Sequence, residues 1–143
     1  MQTQSLRAMA ETTTATDAQG FSKPETSAGY LTVIAALTTG VLHLYLIPGA
    51  LATAGTTGGV LFALNGIGFL GGTVLYLSKY WRKELFLVAA LYALASILAM
   101  FMVHGWTIDS LLYRDGSIAQ WAITAKTAET IIFGASLYLY SNS

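Results

Sequence analysis

The sequence predicts an all-α protein: an integral membrane, antiparallel four-helix bundle with a short polar N-terminal tail. Three observations carry that expectation. Of the 143 residues, 55% are hydrophobic and only 10% charged, whereas soluble domains average about 25% charged. Four apolar stretches each approach the ~20 residues that a helix needs to cross ~30 Å of hydrocarbon. Short links join them, which favours consecutive helices running up, down, up and down.

Residues 1–29 read as the tail. Glu11 to Asp17 is small, polar and aperiodic, and Lys23-Pro24-Glu25 continues it, so loose order is expected. Only Leu6, Ala8, Met9 and Ala10 are apolar near the start, too few for the h-region of a cleaved signal. Residues 30–143 then form one transmembrane domain. Its spans are expected at about 30–47, closed by Pro48-Gly49, then 58–78, 85–104 and 118–140. In lipid every backbone polar group must be bonded within its own segment, which leaves helices as the spanning form.

Charge sets the expected orientation. The turn Lys79-Tyr80-Trp81-Arg82-Lys83 holds three of the seven basic residues, against Arg114 alone in the loops on the other side. The positive-inside rule puts that turn in the cytoplasm. Both termini follow it, in a multi-pass protein of the cell membrane, and the loops around Pro48 and Asp109 face outward. Tyr80 and Trp81 at one interface, and Trp106, Tyr113 and Trp121 at the other, suit aromatic belts. Helix packing is expected at the small-xxx-small pairs Ala36/Gly40 and Gly68/Gly72, with Gly66 and Gly71 widening the second surface, because small residues let backbones approach.

The chemistry concentrates on Lys126 and Glu129, the only charges inside any apolar segment. An ionisable residue at bilayer depth is a candidate functional site, and residues three apart on a helix can touch. Counted from the outer end of their span they lie roughly 12 and 16 Å deep, with Asn65 and His43 within roughly 6–11 Å of the same face. Lys126, Glu129, Asn65 and His43 are therefore expected in one polar layer. It is read either as a satisfied polar core or as a site for a proton, an ion or a small polar ligand.

Other function classes are excluded or weighed by residue type. Zero net charge argues against nucleic-acid binding, and the absence of cysteine excludes disulfides and thiolate chemistry. There is no nucleophile–base pair, phosphate loop or carboxylate dyad, so no catalytic residue is assigned. No cofactor is called for. The alternatives are haem b on His43 and His104, the only two histidines, or copper at His43, His104 and Asp109.

The stretches Gly40-Val41-Leu42-His43-Leu44-Tyr45-Leu46 and Phe62-Ala63-Leu64-Asn65-Gly66-Ile67-Gly68-Phe69-Leu70-Gly71-Gly72, followed by a basic turn, resemble small four-span membrane proteins of archaea, halophilic ones above all. The last span of that family carries a similar Lys-x-x-Gln/Glu, matched by Lys126 and Glu129. The likeness covers roughly residues 30 to 140. Where the relatives tend to carry an acid just before the lysine, this chain has Ala125, which weakens any three-residue charge relay. The family has no assigned activity. The low charge and Thr-rich tail depart from an acidic halophilic surface and extend the comparison to small helical subunits of the archaeal ammonia monooxygenase complex.

The expected role is thus a non-catalytic accessory subunit of a larger membrane oxidoreductase, of monooxygenase or terminal-oxidase type. Its partners would be other integral membrane subunits and lipid. The alternatives are a stand-alone b-type haem electron carrier, or an oligomeric carrier of protons, ions or small ligands using the Lys126/Glu129 layer.

Overall fold

A computed structural model describes residues 20–143. Most of the expected tail, residues 1–19, lies outside the described residues. The chain enters along Phe21, which bridges to Ser78, and the Ser22 amide donates to the Leu77 carbonyl at 2.7 Å. Helix α1 runs Ser27–Tyr45, with the Thr26 hydroxyl accepting from the Gly29 amide as N-cap, so residues 27–29 belong to the helix and not to the tail.

Helix α2, Ile47–Tyr76, follows after a single residue. Pro48 sits in its first turn, where the missing amide hydrogen would have had no partner. The segment expected as a loop around Pro48 is therefore helical. Its one break is Gly55, with φ 63° and ψ −161°, a conformation essentially reserved for glycine.

Helix α3 spans Glu84–His104 and ends on Gly105 at φ 98°. The connection that follows is more ordered than a plain loop. It holds a short helix α4, Ile108–Leu112, and a hairpin in which β1, Tyr113–Arg114, pairs with β2, Ser117–Ile118. Asp115 at φ 51° and Gly116 at φ 77° form its two-residue turn, the Asp-Gly pair that such tight hairpins favour. Helix α5 runs Gln120–Asn142.

Helices α1, α2 and α3 are long and apolar enough to cross a membrane. Helix α5 matches them in length but carries Lys126, Glu129 and three threonines in its first half. Helix α1 packs against α2 and α5, and α3 packs against α5. Helix α2 meets α3 through long side chains, with Phe69 on Tyr92 at 5.0 Å and Tyr76 on Phe86 at 5.6 Å.

Small residues supply much of the buried surface, which Phe69, Phe86, Met100, Ile132 and Leu139 share. Ala35, Ala36, Thr39 and Gly40 are buried on α1, Ala90 and Ala93 on α3, and Ala125 and Ala128 on α5, while Ile34, Val41, Ile67 and Val88 point outward. A cluster of Ala35, Ala36, Phe69, Ala93, Ala128 and Ile132 forms the core.

Helices α1 and α2 approach closely at Gly40 and Gly66: a Cβ on Gly66 would lie 2.9 Å from the Gly40 carbonyl oxygen. Gly68 instead makes room for the Tyr92 ring, and a Cβ on Gly72 or Gly71 would meet nothing within 4 Å. Within this chain the packing role expected of Gly72 falls to Gly66.

Candidate functional site

Six side chains from the four long helices close a ring of hydrogen bonds. Glu129, wholly inaccessible to solvent, accepts from the Lys126 ammonium at 2.6 Å and from the Thr39 hydroxyl at 3.0 Å. Lys126 Nζ also donates to the Ser96 carbonyl at 3.1 Å and its hydroxyl at 3.2 Å. All three ammonium protons are thereby placed.

Ser96 Oγ accepts in turn from Asn65 Nδ2 at 2.7 Å, and the same amide nitrogen lies 2.8 Å from His43 Nε2. His43 Nδ1 completes the circuit, 2.8 Å from the Thr39 carbonyl and 3.2 Å from its hydroxyl.

The Thr39 carbonyl fixes proton positions around this ring. A carbonyl can only accept, so His43 Nδ1 carries the hydrogen, and in the neutral imidazole Nε2 is the acceptor. Asn65 must then present its NH₂ to the histidine. The 3.7 Å separation of His43 Nε2 from Glu129 Oε1 is therefore a proximity without a hydrogen bond. Phe62 and Phe69 flank the imidazole at 5.2 and 6.3 Å, holding it in an apolar sleeve.

The structure thus brings together Lys126, Glu129, Asn65 and His43, as the depth argument expected, and adds Thr39 and Ser96. Sequence reasoning missed both. Thr39 lies one turn before His43 on the same face, and Ser96 is the only Ser or Thr in α3, a lone hydroxyl that could have been read as a partner. His104 is exposed at the C-terminal end of α3, and Asp109 is exposed on α4. Among the described residues no three His, Cys, Asp or Glu side chains converge as a metal-binding group. With both ring nitrogens engaged, His43 could ligate haem or copper only by breaking its bond to Thr39 or to Asn65.

One side of the ring forms the floor of a cavity of about 610 Å³. His43, Asn65, Ser96 and Lys126 lie at the floor; Phe62, Tyr92, Ala99 and Met100 are among the walls; and His104, Arg114, Ile118 and Gln120 surround the outer end. The hairpin that carries Arg114 and Ile118 over this mouth is set by the Asp115-Gly116 turn. Trp121 is braced beside it by an edge contact to Tyr45 at 5.9 Å.

A second cavity, about 170 Å³, is lined by Thr32, Thr73, Trp81 and Ser136 on the far side of the Phe69 layer. Ser136 Oγ and Trp81 Nε1 are buried there without a protein partner. Ala36, Phe69, Ala93 and Ile132 pack the space between the two cavities.

Fold and site define a mostly helical chain with three helices fit to cross a membrane and a charged ring held between these and α5. It belongs to a family of unknown function, DUF7475, whose model matches residues 14–140. No curated protein and no solved structure matches the chain.

Proposed function

We propose that the protein is an integral membrane four-helix bundle that binds a small amphipathic molecule in the larger cavity, without converting it. In this reading α5 is the fourth span and both termini are cytoplasmic. Membrane insertion is supported by the many large apolar side chains on the outside and the small and polar residues that share the interior with Phe69, Phe86 and Ile132, since helices in lipid associate through small residues and polar contacts.

The observation that carries the binding role is a cavity with apolar walls and a fixed polar floor, the usual form of a small-molecule site. The ring holds its charges in place at that floor. The packed layer beneath supports an end-point for binding more than a through-path for ions.

The test is native mass spectrometry of the protein released from mild detergent. A bound small molecule that is lost on enlarging Ala99 to Trp is expected. A ligand-free protein, in membranes from its own source, would refute the role.

A second reading keeps the accessory subunit of a membrane oxidoreductase. It is favoured by Gly71, exposed on α2, where an added Cβ would meet nothing within 4 Å among the described residues. Co-purification of stoichiometric membrane subunits supports it, and a lone monomer or homodimer refutes it.

A further inference from the structure

We infer that the occupant of the larger cavity is a single-chain molecule with an anionic group at one end and a hydroxyl at the other. This rests on the binding role proposed above and adds the chemistry of the ligand.

The floor fixes the hydroxyl. Ser96 Oγ accepts from both Asn65 and Lys126, so its own hydrogen has no partner in the ring. Asn65 spends both amide hydrogens on His43 and Ser96, which leaves Oδ1 without a donor. One free donor thus sits beside one free acceptor. A hydroxyl, which both donates and accepts, answers the two together. A methyl end would leave both unpaired at hydrocarbon depth, where each unsatisfied group is costly.

The mouth fixes the charge. The charged side chains lining this cavity are Lys126 and Arg114, and no carboxylate lines it. Lys126 is already paired with Glu129 at 2.6 Å. Arg114 has no carboxylate within ion-pairing distance among the described residues, and Gln120 and His104 stand with it at the outer end. An anion held there can be bound in the two-pronged manner of a guanidinium.

Lys126 lies six residues after Gln120 on α5, and His104 eight after Ser96 on α3, so the two ends lie roughly 9–12 Å apart at the ~1.5 Å rise of a helix. The walls between are apolar. A medium-chain ω-hydroxy carboxylate has that length and that pattern. A membrane phospholipid offers the anion as well, but its acyl chain would press a methyl against Ser96 and Asn65.

The experiment measures quenching of Trp121 fluorescence, referred to a Trp121→Phe control, for the full chain in nanodiscs of neutral lipid. The probes are 10-hydroxydecanoate, decanoate and 1,10-decanediol. The hydroxy acid is expected to bind best, and loss of either end should weaken binding about tenfold. In the Arg114→Gln variant, which alters an exposed residue, the hydroxy acid and the diol should bind alike.

Equal binding of decanoate and hydroxydecanoate overturns the hydroxyl. Equal binding of the diol in the unaltered protein overturns the anion. Displacement of the probe by phosphatidylglycerol in the disc assigns the mouth to a lipid headgroup and overturns the free acid. If no probe binds while native mass spectrometry still shows a bound small molecule, this inference fails and the binding role stands; if neither is seen, both fail.

Discussion

The Lys126–Glu129 pair offers the sharpest perturbation, because its two ends are buried to different degrees. In Lys126→Met the Glu129 carboxylate, with no solvent exposure, keeps one donor, the Thr39 hydroxyl at 3.0 Å. Neutral His43 does not replace the ammonium, since its Nε2 is then an acceptor and lies 3.7 Å away. A stranded buried charge of this kind is worth roughly 3–5 kcal/mol of destabilisation.

In Glu129→Leu the ammonium keeps two acceptors on Ser96 and a side chain that is 13% exposed toward the cavity. Partial hydration should hold the loss to about 2–3 kcal/mol, at or below the low end for a stranded charge. Thr39→Val removes the hydroxyl's bond to the carboxylate and its 3.2 Å contact with His43 Nδ1 and should cost about 1.5–3 kcal/mol. The double variant Lys126→Met with Glu129→Leu removes both charges and should return to within about 1 kcal/mol of the parent.

Equilibrium unfolding in mixed mild and denaturing detergent, followed by helical circular dichroism, measures all four. Single variants indistinguishable from the parent would mean that the pair is screened by water. A double variant as unstable as Lys126→Met would mean that lost packing, not a stranded charge, explains the effect. Either result refutes the reasoning.

Gly66→Val should destabilise the bundle by about 1–3 kcal/mol through overpacking against Gly40 and Leu44, while Gly72→Val leaves the isolated chain unchanged; a loss at Gly72 alone, seen by the same unfolding assay, would reassign the close contact. Gly55→Ala forces a side chain into backbone geometry that favours glycine and should lower stability by about 1–3 kcal/mol, measured as a drop in Tm; an unchanged Tm would mean that the α2 break can relax. A cysteine introduced beside Lys83 should label only from the cytoplasmic side and one beside Asp109 only from outside, in a chain with no native cysteine. Labelling of the Lys83 site from outside intact cells would invert the orientation.

Local spacing in the sequence was enough for much of the architecture. Unbroken apolar runs placed the long helices, and the i,i+3 relation of Lys126 and Glu129 made their contact readable from spacing alone. Depth counted along each span brought Asn65 and His43 to the same layer. The hairpin at Asp115-Gly116 was not among these, since the segment around Asp109 reads only as a loop.

Rotation of each helix about its own axis was not readable. A soluble helix shows its inward face by a stripe of apolar residues. Here Ile34, Val41 and Ile67 are apolar and face outward, so hydrophobicity surrounds each helix and marks no face. Only packing decided that Ser96, and not His104, meets Asn65; that Thr39 reaches Glu129; and that Gly66, and not Gly72, touches α1. Those choices follow from which small residues let two backbones come within van der Waals contact, a property of helix pairs that no single helix carries in its own sequence.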